Sequence, residues 1–190
     1  MINLSYRFDQ DSCSLDLSGI PDVSNGDSQN TIGIISSWTL KIIGSPLLEG
    51  EKEHLDNLMQ VTLRYSRAYV SGIRTSVKSP SNIVCITPFG KKHKFHLNST
   101  QKDVRPLEII LDDSELSDLT RCFDLIRYDE RININWKIDI DKPFKKSYIL
   151  SKKNNSSKYL SFVYSFIVFV FISSILIFIP IKENTDDIKN

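Results

Sequence analysis

Cysteine is scarce in this chain, paired spacing is absent, and the net charge is only +1. The three cysteines, Cys13, Cys85 and Cys122, stand far apart, which argues against a disulfide framework or a cysteine zinc site and suits buried free thiols. Seven glycines in 190 residues form no phosphate-cradling loop. Gly90-Lys91 invites that reading, but the pattern needs a glycine at Cys85 and a Ser or Thr at Lys92. The N-terminus has no basic stretch followed by an apolar run of signal-peptide length, so the expectation is a domain that is not exported.

The near-neutral total conceals a gradient. Residues Met1 to Asp141 carry 16 Lys and Arg against 20 Asp and Glu, a net of −4, whereas Lys142 to Lys158 carry six Lys and no acid, a net of +6. Scattered basic residues on an acidic domain argue against a nucleic-acid partner, which calls for one basic face. Lys91, Lys92, His93 and Lys94 read as a solvated hairpin tip.

One long apolar run is present. Tyr159 to Ile181 contain no charged side chain, and as a helix they would extend roughly 34 Å, enough for a hydrocarbon core of roughly 30 Å. The expectation is a single-pass, tail-anchored membrane protein with the lipid bilayer as partner. Lys145, Lys146, Lys152, Lys153 and Lys158 flank the N-terminal end of that run, which places the preceding domain in the cytoplasm and makes these lysines candidate lipid-headgroup contacts. The expected organisation is a soluble domain over 1–141, a basic flexible tether over 142–158, a transmembrane helix over 159–181 and a polar tail over 182–190. Ser161 and Ser165 form a small-xxx-small pair, a route to a homo-oligomer.

Along the soluble part, Cys13, Leu15 and Leu17 alternate with polar residues, and Trp38, Leu40 and Ile42 repeat the pattern, predicting two antiparallel strands. From Glu49 to Val70 the period becomes helical, with Leu55, Leu58, Met59, Thr62, Tyr65, Tyr69 and Val70 on one face and Ser71-Gly72 as a stop. Strands follow at 82–87, 94–97 and 107–111. Asp112 with Glu115 forms a capping box for a second helix, whose stripe is Leu116, Leu119, Phe123 and Ile126 and whose end is near Tyr128. Ile132, Ile134, Trp136, Ile138 and Ile140 then alternate with polar residues as a last strand. The predicted class is α+β, with one mostly antiparallel sheet of about five or six strands, two helices and a C-terminal transmembrane helix.

No constellation favours catalysis, and no cofactor, metal or catalytic residue is assigned. His93 and His96 are three apart on a strand, so they face opposite ways and do not share a metal. His54 lacks a local Ser, Cys or acidic arrangement for a triad. Asp112-Asp113 fits helix capping, and Asp139 with Asp141 fits a strand's exposed face and end. Three functions remain: a membrane-held protein-interaction domain; an enzyme or small-ligand module with a site between the long helix and the sheet; and, ranked lowest, a lipid-surface or nucleic-acid binder using Lys91, Lys92 and the basic tether.

Several segments resemble the family called domain of unknown function 4335: Tyr6, Cys13 to Gly19, Trp38 to Gly44, Ser45 to Gly50 leading into His54 to Leu58, and Tyr65 to Ser71. The block from His93 to Leu97 and the second helix follow the same order. The resemblance covers most of Met1 to Asp141. The chain departs from the pattern in a polar insertion around Asp22 to Asn30 and in its wealth of Ile, Lys and Asn. The resemblance implies a cyanobacterial source, hence a plasma or thylakoid membrane, and brings no known activity.

Overall fold

Alternating side chains at the start of the chain fold as a meander. Strands β1 (Leu4–Asp9), β2 (Cys13–Ile20), β3 (Ile34–Ile42) and β4 (Leu48–Gly50) pair antiparallel in chain order. The inward set is Phe8, Cys13, Leu15, Leu17, Trp38, Leu40 and Ile42, all buried. At Gly19 the register shifts, and the strands come so close that a Cβ there would lie 2.3 Å from the Ile34 carbonyl oxygen. Helix α1 (Lys52–Val70) follows.

A second meander repeats the plan. Strands β5 (Val77–Lys78), β6 (Val84–Phe89), β7 (Lys92–Leu97) and β8 (Leu107–Leu111) again pair antiparallel in chain order, and helix α2 (Asp113–Tyr128) follows. Each half of the domain is thus four strands and a helix. The computed structural model describes residues 3–26, 28–98, 105–138, 143 and 157–177. It divides into two compact units, Met1–Tyr148 and Ile149–Asn190.

Helix α1 contacts β3, β5 and β6, and α2 contacts β1, β2, β7 and β8, so the paired helices bring both sheets into one core. Burial around α1 is correspondingly broad, taking in Leu55, Leu58, Met59, Val61, Leu63, Tyr65 and Ala68 rather than a narrow stripe. Helix α2 buries Leu116, Leu119, Cys122, Phe123 and Ile126. Its Asp112–Glu115 capping box is complete: Asp112 Oδ1 accepts from the Glu115 N–H at 2.8 Å, and Glu115 Oε2 accepts from the Asp112 N–H at 2.7 Å.

The structure corrects several expectations. There are two four-stranded sheets, not one of five or six strands, and three helices among the described residues. Helix α1 begins at Lys52 because Glu49 and Gly50 pair with Thr39 and Trp38 in β4, and Val70 is exposed. The segment from Ile132 is no strand. It makes one parallel bridge, Ile32 with Ile132, with Ile132 and Ile134 buried, and its Ile138 N–H donates back to the Trp136 carbonyl at 2.9 Å in a tight turn. Alternation fixed which side faces inward, but among the described residues no strand edge pairs with the segment beyond the bridge. Asp139, Ile140 and Asp141 lie outside the described residues.

The largest correction concerns the apolar run. Among the described residues no helix is long and apolar enough to cross a membrane. The transmembrane helix expected over Tyr159 to Ile181 is instead helix α3 (Ser157–Ile177), which starts earlier on Ser157 and Lys158. The single-pass, tail-anchored assignment and the membrane localisation fall with it. Of the candidate headgroup contacts, Lys145, Lys146, Lys152 and Lys153 lie outside the described residues, as does the side chain of Lys158.

Candidate functional site

The groove with the largest volume among those described, about 760 Å³, runs along the first half of α1. This is within the range of about 300–1,000 Å³ usual for small-ligand sites. Lys52, Glu53, Asp56, Asn57 and Gln60 form one wall, spaced so that successive helical turns present them to the same side. Pro80 and Ser81, from the turn between β5 and β6, form the second wall, and Trp136, Lys137 and Ile138 of the segment after Ile132 form the third.

Backbone chemistry explains why these walls are where they are. Trp38 Nε1 donates to the Glu51 carbonyl at 2.9 Å and so fixes the entry of α1, which has no side-chain cap there. In the β5–β6 turn, Asn82 takes φ of 57°, a left-handed conformation that asparagine tolerates better than most residues. The turn is held by the Asn82 N–H donating to the Ser79 carbonyl at 2.9 Å and by Asn98 Nδ2 donating to the Asn82 carbonyl at 2.7 Å. Ser81 Oγ then donates to Asn57 Oδ1 at 3.3 Å, joining the turn to the helix. Asn57 Nδ2 donates to the Glu53 carbonyl at 2.9 Å, which fixes the orientation of its amide.

Asp56 is only 8 % exposed, and its two oxygens differ. Oδ2 accepts from Lys52 Nζ at 2.7 Å, whereas Oδ1 has no hydrogen-bond partner among the described residues. Trp136 Nε1 is likewise buried and without a partner. A carboxylate oxygen can only accept and an indole N–H can only donate, so the groove walls hold one unmatched group of each kind. The Lys52 ammonium also lies over the Trp136 ring, 5.7 Å from its centroid. Only two other buried side-chain polar atoms are unmatched among the described residues, His54 Nδ1 and Thr62 Oγ1, and neither residue lines the groove.

A second polar cluster lies between α1, β7 and the start of α2. His93 is 1 % exposed; Tyr65 Oη sits 2.7 Å from its Nδ1, and Asp113 Oδ1 sits 2.8 Å from its Nε2. Since the carboxylate only accepts, Nε2 donates to it, and Nδ1 is left to pair with the Tyr65 hydroxyl. Tyr69 Oη donates to the same Asp113 oxygen at 3.0 Å, and its ring meets the His93 ring edge-on at 4.6 Å. Burial pushes the Tyr65 hydroxyl up to about 12. The hydrogen bonds from His93 and Tyr69 hold the Asp113 carboxyl below its usual range.

Every nitrogen of His93 is thereby committed, and no serine or cysteine is bonded to it, so this cluster offers no nucleophile and base pair. It is a satisfied polar network that runs from the buried Tyr65 and His93 to the exposed Asp113 at the edge of the core. His96, on the other face of β7, lies 3.4 Å from Glu108, so the two histidines do not converge. Among the described residues no group of three or more His, Cys, Asp or Glu is placed to hold a metal ion. Cys13, Cys85 and Cys122 are free and buried.

Sequence reasoning placed Tyr65 and Tyr69 in the core but missed their partners, and it assigned Asp113 to capping when Asp112 alone caps. It did not single out Lys52, Asp56 or Trp136. The signal available for Asp56 was an acidic residue beside Leu55 and Leu58 on the helix's buried side.

The profile of the family described as "Domain of unknown function (DUF4335)" matches residues 6–182. The chain belongs to that family. The DUF4335 match extends well past Asp141, through the basic stretch and α3, so those residues are part of the family's unit rather than an appendage. It carries no source organism. No curated protein and no solved structure matches the chain.

Proposed function

We propose that the Met1–Tyr148 unit is a binding module for a small polar molecule, with the groove between α1, the β5–β6 turn and Trp136 as its site. The unmatched pair, Asp56 Oδ1 and Trp136 Nε1, carries this reading. A buried polar group left without a partner costs about 1–3 kcal/mol, and a fold keeps such groups where something else satisfies them. Around them the groove supplies amides at Asn57 and Gln60, charges of both signs at Lys52, Glu53 and Lys137, and one aromatic face. Such a set recognises hydrogen-bonding groups in fixed positions.

Binding is favoured over catalysis because, among the described residues, no histidine or cysteine lines the groove. The test is a melting-temperature screen of the full chain against small amines, carboxylates, polyols and nucleotides, repeated on Asp56→Asn and Trp136→Phe. A compound that raises the wild-type melting temperature and loses its effect in both variants supports the module. If every stabilising compound acts equally on all three proteins, the groove is not the site.

A further inference from the structure

The groove already contains a cation, and that cation belongs to the chain. Lys52 Nζ lies 2.7 Å from Asp56 Oδ2 and over the Trp136 ring at 5.7 Å from its centroid. A carboxylate and an indole face around one ammonium are the two attractions by which proteins recognise organic cations. We infer that the ligand of this groove carries a primary alkylammonium group and that Lys52 occupies its position when the ligand is absent. This inference rests on the groove being a binding site and names the chemistry it selects.

Lys52 is suited to leave. It is the first residue of α1, its side chain is 37 % exposed, and it makes an ion pair one helical turn long, of a kind that contributes little to stability. Its long unbranched stem can turn the ammonium into water without disturbing the core. Once it turns out, the carboxylates of Asp56 and Glu53 and the ring of Trp136 remain, with Lys137 the one cation left among the described lining residues. Asp56 is better fixed than the lysine that covers it, being 11 % exposed at the side chain, so the carboxylate stays while the ammonium exchanges. The incoming ammonium has three donors, enough to bond Oδ2 and reach toward the unmatched Oδ1.

A tethered ammonium acts as a competitor at an effective concentration in the millimolar range, about that of other short tethers. Removing it therefore strengthens binding of a free amine, which no simple structural role for Lys52 would do. The test is calorimetric titration of the full chain with n-butylammonium, n-butanol and n-butyrate, on the wild type and on Lys52→Met, Asp56→Asn and Trp136→Phe.

The expected result is saturable binding of n-butylammonium alone, tightened about tenfold in Lys52→Met and lost in Asp56→Asn. Unchanged or weaker n-butylammonium binding in a Lys52→Met protein that melts as the wild type does would overturn the inference. If n-butanol or n-butyrate binds with Asp56 and Trp136 dependence while the amine does not, the cation assignment fails and the binding module stands. If none of the three probes binds any variant, and the wider compound screen is also silent at Asp56 and Trp136, both fail together.

Discussion

Lys52 Nζ reaches one turn along α1 to Asp56 Oδ2 at 2.7 Å and leaves the second oxygen of that nearly buried carboxylate unmatched. Replacing Asp56 with Leu, of similar size, removes the unmatched acceptor and one weak ion pair. The expected outcome in urea denaturation is a gain of about 1 kcal/mol, with ligand-induced stabilisation abolished.

The Tyr65–His93 pair predicts the opposite. Tyr65→Phe keeps the ring and removes the hydroxyl paired with His93 Nδ1, leaving a buried nitrogen without that partner. Stability should fall by about 1–3 kcal/mol, and Tyr65→Phe with His93→Phe together should cost less than the sum of the two single changes.

Asp113 gives a pH dependence of known sign. Its carboxyl is held below its ordinary value of 3.8 by hydrogen bonds from His93 and Tyr69. Below 3.8 the unfolded chain therefore takes up protons before the folded one does, so stability falls as pH drops through the folded-state value and is fully present above 3.8. In Asp113→Asn that part of the acid limb should be absent in melting curves collected between neutral and strongly acid pH.

Gly19 is required by contact. An alanine Cβ there would sit 2.3 Å from the Ile34 carbonyl oxygen and 2.5 Å from the Ile32 side chain, so β2 and β3 would have to part. Gly19→Ala should cost about 3 kcal/mol in denaturant unfolding, whereas Gly26→Ala meets no atom within 4 Å and carries only the strain of its positive φ.

These expectations separate what a sequence states locally from what it states only after folding. The Asp112–Glu115 box and the stripe from Leu116 to Ile126 were legible because caps and helical period are local chemistry. Strand β1 escaped notice although Leu4, Tyr6 and Phe8 alternate, because only Phe8 is fully buried and the strand lies at a sheet edge. The run from Ile132 to Ile138 shows the converse. Its alternation reported sidedness, with Ile132 and Ile134 inward, but pairing depends on a free neighbouring edge, which alternation does not encode. The candidate site was the least legible part, because Lys52 and Asp56 meet Trp136 across some eighty residues of chain and only the packing of α1 joins them. The apolar run after residue 158 misled in another way: its hydropathy predicted a span, yet among the described residues no helix is long and apolar enough to cross a membrane.

The indole N–H resonances offer the most direct test of the groove. Trp38 Nε1 is bonded to the Glu51 carbonyl and serves as an internal control, whereas Trp136 Nε1 is unmatched at the groove wall. Nitrogen-15 spectra of the full chain should be recorded while small amines and other polar fragments are added. The account predicts a saturable shift of the Trp136 indole peak, with the Asn57 side-chain amide moving alongside it and Trp38 nearly still. Saturable shifts gathered instead around Tyr69 and Asp113, with Trp136 unmoved by every fragment, would contradict it.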